Sequence, residues 1–233
     1  LFGCNTDKDI VHRAIVIFSL GEISITDQSG SKTEIKQGDI LKKGGKLVTG
    51  DYSHCTIQVG NTALVKILEN TSIKLERLFE NGINTLYLEK GKILSKVNKL
   101  QKNNEFNIKT ETSLAAVRGT TFSVSYYPGK SIVAVSSGKV EVKKFKEEEK
   151  MLAEKGKAVV ITDKLNTRDI SEIEKLELEK IERVTFIRSS SEIRGDKGKY
   201  LEESLKNNDE EVDKKIEELK EKAEQICGKP ASA

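Results

Sequence analysis

Four glycine residues in this chain head the same short pattern, which restricts the possible folds more than any other feature. In each copy a charged residue and then a strand-like run follow the glycine, as in GEISI at residues 21–25. Glycine adopts the backbone angles that a tight reversal requires, so each copy predicts a turn with a strand leaving it. The copies begin at Gly21, Gly91, Gly138 and Gly156. This repetition predicts a mainly β chain that wraps on itself, as an antiparallel β-sandwich or a solenoid-like β-roll.

Residues 11–163 have the composition and spacing of one β domain. Short runs rich in Val, Ile, Thr and Tyr are separated by turn residues, and several alternate apolar with polar side chains. Asn81-Gly82 and Pro128-Gly129 are turn dipeptides, and they predict hairpins. The predicted strands are residues 14–18, 22–25, 56–59, 63–68, 85–88, 92–97, 106–110, 121–126, 132–135, 140–142 and 158–161.

The high charge and the apolar spacing of residues 164–233 predict a charged helical extension. One helix is predicted over residues 170–187, followed by a polar loop over 189–199. A last helix is predicted to begin with Asp209 as its cap and to end near Gly228.

The last predicted helix carries a narrow apolar stripe. Its members step by three or four residues, as one helical face requires, and they are Val212, Ile216, Leu219, Ala223 and Ile226. Such a stripe packs against its own domain or a second helix, or it contacts a partner protein or another copy of the chain.

The first residues, Leu1-Phe2-Gly3-Cys4, resemble the end of a bacterial lipoprotein signal. The resemblance implies that Cys4 is diacylated on sulfur and anchors the chain to the outer membrane of a bacterial cell envelope. It does not specify whether the domain is on the periplasmic or the surface face of that membrane. Phe2 departs from the commonest pattern. The alternative is an ordinary free or buried cysteine, and residues 1–10 would then be no tether.

Cys55 and Cys227 remain as a pair once Cys4 is set aside. In an oxidising compartment an even pair suggests a disulfide. However, Cys55 belongs to a run that alternates with the polar residues His54, Thr56 and Gln58, which directs Cys55 into the core. A buried free thiol is therefore the preferred interpretation, with the disulfide as the alternative.

No recognisable catalytic, metal or cofactor motif occurs in the sequence. The two histidines, His12 and His54, belong to no metal-binding pattern, and neither a phosphate loop nor a nucleophile elbow is found. The net charge of +3 is too small to indicate nucleic-acid binding. We therefore expect a protein that is not an enzyme, uses no cofactor or metal, and does not bind nucleic acid.

The run AAVRGTTFSV at residues 115–124 resembles the signature of the FecR-domain family. Other fragments follow in that family's order, so that the resemblance covers about residues 13–163. The residues that carry it are Gly38, Asp39, Thr49, Ala116, Arg118, Gly119, Thr120, Phe122 and Gly138.

The residues of this signature also have a physical interpretation of their own. Ala116 leaves room for close packing, Gly119 permits a turn, and Phe122 faces the core. We expect Arg118 to be partly buried and hydrogen-bonded, either as an architectural clamp between loops or as a ligand-binding residue.

We consider three functions for the chain, two of which the resemblance implies. FecR itself relays a signal from an outer-membrane transporter to a sigma factor, through an anti-sigma region and a transmembrane helix that are not visible in this sequence. The chain is more similar to the FecR-domain lipoproteins of spirochaetes, which implies a non-catalytic envelope module that binds a protein or glycan or acts as a scaffold. The alternative is a periplasmic signalling component, and a cryptic hydrolase comes last.

Overall fold

A computed structural model describes residues 10–145 and 148–227 of the chain, and the side chains of this part as far as residue 225. Its strands are β1 Ala14–Leu20, β2 Ile23–Thr26, β3 Lys32–Glu34, β4 Ile40–Leu41, β5 Lys46–Thr49, β6 His54–Val59, β7 Ala63–Ile67, β8 Ser72–Glu80, β9 Ile83–Val97, β10 Glu105–Lys109, β11 Ser113–Val117, β12 Thr121–Tyr127, β13 Lys130–Ser137, β14 Lys139–Lys144, β15 Lys150–Glu154, β16 Lys157–Ile161 and β17 Leu165–Asp169. The helices are α1 Glu172–Glu182, a 3-10 helix at Ser190–Ile193 and α2 Gly195–Cys227.

The seventeen strands form one continuous sheet that folds back on itself into two layers. Sheet A has the order β4-β1-β6-β7-β9-β12-β13-β16-β17. Sheet B has the order β3-β2-β5-β8-β9-β10-β11-β14-β15. The long strand β9 belongs to both layers, and only its pairing with β10 is parallel among the described strands. The predicted antiparallel sandwich or β-roll is therefore confirmed.

The chain crosses between the two sheets at the four glycines of the repeated pattern. Gly21 joins β1 to β2, Gly91 lies where β9 passes from sheet B to sheet A, Gly138 joins β13 to β14, and Gly156 joins β15 to β16. All four have a left-handed backbone, with φ between +80° and +94°. Since a side chain clashes with the backbone in this conformation, the corner positions favour glycine.

Three of these four corners pack against a hydroxyl side chain from the neighbouring corner. A Cβ atom at any of the three glycines would lie within 3 Å of the hydroxyl-bearing residue, so the contact also requires glycine for steric reasons. The pairs are Gly21 with Ser53, Gly91 with Thr71, and Gly138 with Thr120. Neighbouring turns of the roll are thus in contact along its corners.

Each of these hydroxyls also bonds the residue that follows the glycine. Ser53 Oγ accepts from the N–H of Glu22 at 2.8 Å, and Thr71 Oγ1 accepts from the N–H of Lys92 at 3.0 Å. Thr120 Oγ1 donates to the carbonyl oxygen of residue 139 at 2.9 Å. At the fourth glycine, Gly156, a Cβ atom would meet no other atom within 4 Å, because this corner lies at the end of the roll.

One apolar core lies between the two sheets. It takes residues such as Leu75 and Phe106 from sheet B and Ile57 and Phe122 from sheet A, all fully buried. A second apolar cluster lies on the outer face of sheet A, where Phe18 and other strand residues contact the helices. The molecule therefore has three layers, and the helices do not form a separate tail.

The helical region differs from its prediction in three places. The sheet continues through β17 beyond the predicted boundary at residue 163, and α1 is shorter than predicted, with Ser171 as its N-cap in a capping box. The predicted polar loop over 189–199 is instead the 3-10 helix and the first turn of α2. The prediction that Asp209 caps the last helix is wrong, because that helix begins at Gly195 and Asp209 is buried within it.

The β region differs from its prediction mainly in length and in short strands. Residues 85–88 and 92–97 were predicted as two strands, but they are parts of β9, which passes through its glycine without a break. Several edge strands, such as β3 and β17, had no prediction because their side chains are mostly exposed and polar. The hairpins at Asn81-Gly82 and Pro128-Gly129 are confirmed, since each pair joins two antiparallel strands.

Within residues 10–145 and 148–227, no helix is both long enough and apolar enough to span a membrane.

The glycine corners give a prediction that separates backbone strain from steric clash. Gly156→Ala introduces only the strained φ of +80°, and should lower the free energy of unfolding by about 1 kcal/mol. Gly138→Ala has the same φ, but its Cβ would lie 2.6 Å from the carbonyl oxygen of Gly119. Gly138→Ala should therefore lower the free energy of unfolding by at least about 2 kcal/mol more than Gly156→Ala does. Urea denaturation of both variants measures the difference, and equal costs would contradict the packing of the corners.

Candidate functional site

A buried ion pair connects sheet A to α2. Lys66 points outward from β7, away from the core, and only 2% of its surface is exposed because the helices cover it. Its ammonium group donates a hydrogen bond to Asp209 Oδ2 of α2, whose side chain is 5% exposed. Both charges are almost fully removed from bulk water, so each depends largely on the other for compensation.

His54 of β6 lies beside this pair. Its Nε2 is 2.9 Å from Asp209 Oδ2, and its ring stacks on Phe18 with the ring centroids 5.3 Å apart. The ammonium group of Lys66 lies 5.4 Å from the centroid of the same Phe18 ring. His54 and Lys66 thus both rest on the Phe18 ring, which limits their freedom to move.

The pKa values of the pair reflect the same surroundings. Burial acts to raise the pKa of Asp209, but the hydrogen bond with His54 and the charge of Lys66 outweigh it, so the pKa lies below its usual 3.8. Burial lowers the pKa of Lys66 from its usual 10.5, and the carboxylate of Asp209 opposes that shift. Asp209 is therefore ionised at neutral pH.

Polar side chains of sheet A also hold the chain between α1 and α2. The amide of Gln58 donates to the carbonyl oxygen of Ile187 at 2.9 Å and accepts from its N–H at 2.8 Å. The ammonium group of Lys96 donates to the carbonyl oxygens of Glu182 and Val184 at the end of α1. The bonds from Lys96 satisfy carbonyl groups at the end of α1, and together with those of Gln58 they fix the helical region against the sheet.

A cleft of about 530 Å³ opens between the ends of β1, β6 and β7 and the two helices. The Lys66–Asp209 pair forms its floor. Its apolar lining consists of Leu20, Tyr52, Leu68, Ile173 and Ile216. Its charged lining consists of Lys66, Glu69, Glu177, Lys180, Lys206, Asp209, Glu210, Asp213, Glu217 and Lys220, together with His54. The cleft is therefore a concave surface that combines apolar with charged side chains.

Tyr52 lies at the mouth of this cleft in an unusual conformation. Its side chain is 89% exposed and its backbone is left-handed, with φ of +50°. Its N–H donates to Glu69 Oε2 at 3.0 Å, which helps to hold the turn. A bulky residue in this conformation carries strain, and such strain is concentrated at binding and catalytic sites.

The FecR-like signature residues lie at a corner of the roll, away from this cleft. Gly119 is left-handed with φ of +75°, and Thr120 is the hydroxyl partner of Gly138. Phe122 is in the core as predicted, whereas Ala116 lies on the partly exposed outer face of sheet B. These positions give the signature a structural role in the folding of the roll.

Arg118 is exposed, which differs from the partial burial that we expected. Its guanidinium donates to the carbonyl oxygen of Lys102 at 3.0 Å. The residue projects from a corner outside both sheets, so no second layer covers it. The expected contact with a carbonyl group is present, and it joins two loops.

The remaining residues that carry the resemblance form hydrogen bonds within their own turn or to a neighbouring segment. Gly38 is left-handed, and its N–H donates to the carbonyl oxygen of Val16 at 2.8 Å. The side chain of Asp39 accepts from the N–H of Lys36 at 2.7 Å. Thr49 is buried, and its hydroxyl donates to the carbonyl oxygen of residue 68 at 2.6 Å.

The three cysteines are described to different extents. Cys55 is a fully buried free thiol, and burial raises its pKa to about 12. Cys4, and with it the predicted lipid anchor, lies outside the described residues, as does the side chain of Cys227.

The residues that form the cleft were not identified from the sequence. Lys66 and Asp209 are separated by 143 positions in the chain. A single polar residue in an apolar strand was the one available signal for Lys66, and the helix-cap prediction concealed the role of Asp209. Tyr52 gave no signal, because a positive φ at a tyrosine is visible only in a structure.

Residues 45–141 match the model of a protein family described as FecR protein. This part of the chain is a FecR-family domain. It includes β5 to β13 and the signature, but neither the helices nor β1. No curated protein matches the chain.

Two solved structures of a protein from Parabacteroides distasonis ATCC 8503, described as a "putative anti-sigma factor", have a similar fold. Each has a TM-score of 0.51 and 17% sequence identity to this chain. The alignment covers 57% of this chain and 64% of that one, so it spans less than two thirds of the Parabacteroides protein. At this identity the likeness concerns the fold alone.

The buried ion pair gives a prediction about stability. Asp209→Ala leaves the ammonium group of Lys66 buried without a counter-charge, and should lower the free energy of unfolding by about 3–5 kcal/mol. Glu211→Ala is the matched control on the same helix, because Glu211 and its partners Arg183 and Lys215 are all exposed. Its cost should stay below about 1 kcal/mol. Chemical denaturation measures both values.

The same variant also has an expected pH dependence. A carboxyl group whose pKa is lower in the folded state stabilises the fold at any pH above its pKa in the unfolded state, which is near 3.8 for Asp209. This contribution is lost as the pH falls through the lower pKa of the folded state. The difference in unfolding free energy between wild type and Asp209→Ala should therefore be full at neutral pH and narrow below pH 3.8. A difference that stays constant down to the acid transition would contradict the proposed ionisation of Asp209.

Proposed function

We propose that this chain is a non-catalytic component of a bacterial envelope signalling system. In this role it binds another protein outside the cytoplasm, and that binding is relayed to a regulator. The FecR-family domain at residues 45–141 is the observation that carries the proposal. The fold shared with a protein described as a "putative anti-sigma factor" supports signalling at least as well as it supports a static scaffold.

The cleft is the surface through which we propose that the partner binds. Its walls combine the FecR domain, through β6 and β7, with α1 and α2. A partner seated there would contact both the sheet and the helices. Binding could therefore alter how the helices lie on sheet A, and that change would be the output of the domain.

The position of the cleft is compatible with an anchor at Cys4. The described chain starts next to β1, and the cleft is at the opposite end of that strand, where Leu20 lies. Seven residues of strand extend over roughly 20 Å. A lipid on Cys4 would hold the start of the chain at the outer membrane of the envelope.

A second candidate is the envelope lipoprotein that acts only as a binding or scaffold module for a protein or glycan. It would use the same cleft and the same anchor. It differs because occupancy of the cleft would have no consequence for gene expression.

Transcription separates these two candidates. Deletion of the gene in its native bacterium should change the transcript levels of a defined set of genes, and the wild-type chain should restore them. A chain with Tyr52→Ala should fail to restore them, because it removes the exposed ring at the cleft mouth. Tyr127→Ala, which removes an exposed ring elsewhere, is the control. Unchanged transcription after deletion would leave only the scaffold role.

The anchor has a direct test of its own. Mass spectrometry of the protein isolated from bacterial membranes should find Cys4 as the first residue, carrying a diacylglyceryl group on sulfur. Cys4→Ser should release the protein from the membrane fraction. An unmodified Cys4 in membrane-bound protein would exclude the lipid anchor, and protease treatment of intact cells would identify the exposed face.

A further inference from the structure

We infer that the cleft binds a basic, partly apolar segment of the partner protein, with an Arg or Lys side chain seated between Tyr52 and Glu69. This inference rests on the proposed function, because it specifies the partner of the same site. The reasons are the distribution of charge in the cleft, the exposed tyrosine and the apolar walls.

The charge of the cleft is opposite to that of the whole chain. Six carboxylates and four lysines line it, which leaves two negative charges in excess, whereas the chain has a net charge of +3. Low-dielectric walls strengthen such a local potential. A cationic segment is therefore attracted to the cleft in preference to the rest of the surface.

All four lysines of the cleft already have acidic partners within its lining. The pairs are Lys66 with Asp209, Lys180 with Asp213, Lys206 with Glu210 and Lys220 with Glu217. Of the two other carboxylates, Glu177 pairs with Lys92 outside the cleft. Among the described residues Glu69 has no ion-pair partner, so the excess charge available to a ligand is centred on it.

Glu69 and Tyr52 are adjacent at the mouth of the cleft. The N–H of Tyr52 donates to Glu69 Oε2, and the exposed Tyr52 lines the same cleft. A guanidinium or ammonium group is attracted both by a carboxylate and by the face of an aromatic ring. The pair therefore forms a receptor for one cationic side chain, with the strained turn of Tyr52 fixing its geometry.

The apolar lining of the cleft adds to this preference. The Asp209 carboxylate at the floor is already paired with Lys66, so it leaves no free charge for a ligand. Leu20, Leu68 and Ile173 supply apolar surface on either side. Side chains that flank the cation in the partner should therefore be apolar, which distinguishes a peptide from a sugar chain.

Short fluorescent peptides test this inference with the full chain. One peptide alternates Leu with Arg, a second alternates Leu with Gln, and a third alternates Leu with Glu. In fluorescence anisotropy at about 50 mM salt, where surface charges are only partly screened, the Leu–Arg peptide should bind at least about tenfold more tightly than the Leu–Gln peptide. The net charge of the chain alone would favour the Leu–Glu peptide instead.

Two variants place the binding in the cleft. Glu69→Gln keeps an acceptor for the N–H of Tyr52 but removes the charge, and Tyr52→Ala removes the ring. Each should weaken binding of the Leu–Arg peptide by about three- to tenfold. Glu224→Gln and Tyr127→Ala are matched controls at exposed positions outside the cleft lining, and they should leave the affinity unchanged.

Three results would overturn the inference. The first is equal affinity for the Leu–Arg and Leu–Glu peptides. The second is an affinity for the Leu–Arg peptide that neither Glu69→Gln nor Tyr52→Ala changes. The third is binding of an uncharged oligosaccharide in the cleft without binding of any peptide. The proposed signalling function fails separately, because it fails when deletion leaves transcription unchanged. A transcriptional effect without peptide binding would therefore remove this inference and keep the function.

Discussion

The left-handed glycine corner is the constraint on which the rest of this structure depends. At Gly21, Gly91 and Gly138 the backbone turns from one sheet to the other, and the space that a side chain would fill holds a hydroxyl-bearing residue of the neighbouring corner. The corners therefore determine both the direction of the chain and the spacing between successive turns of the roll. Without them the two sheets could not face each other across one core.

The outer face of sheet A explains why the helices belong to the same unit as the strands. It combines apolar residues with Lys66 and Gln58, which are buried under the helices and bonded to them. A buried ion pair adds little net stability compared with apolar packing, but an unpaired charge in the same place is strongly unfavourable. The pair therefore favours one placement of α2 over others in which Asp209 would not reach Lys66.

Only one wall of the cleft lies within the residues that match the FecR family. Residues 45–141 contribute β6 and β7, whereas the helical wall lies outside the matched region. A fold does not by itself specify a function, and the residues grafted onto it decide what is bound. The matched domain thus accounts for the central strands of the roll, and the helices outside it form the second wall of the cleft.

The sequence by itself determined the β-roll, its glycine corners, the two hairpins and the FecR-like signature, because each depends on local backbone preferences and on residues close together in the chain. The tertiary structure alone decided the site. Lys66, Asp209 and Tyr52 come together only after the helices fold onto sheet A, and a positive φ at a tyrosine has no counterpart in a local pattern. Asp209 illustrates the reason. An aspartate can serve as a helix cap or as a buried counter-ion, and only its contact with the distant Lys66 shows which role it has.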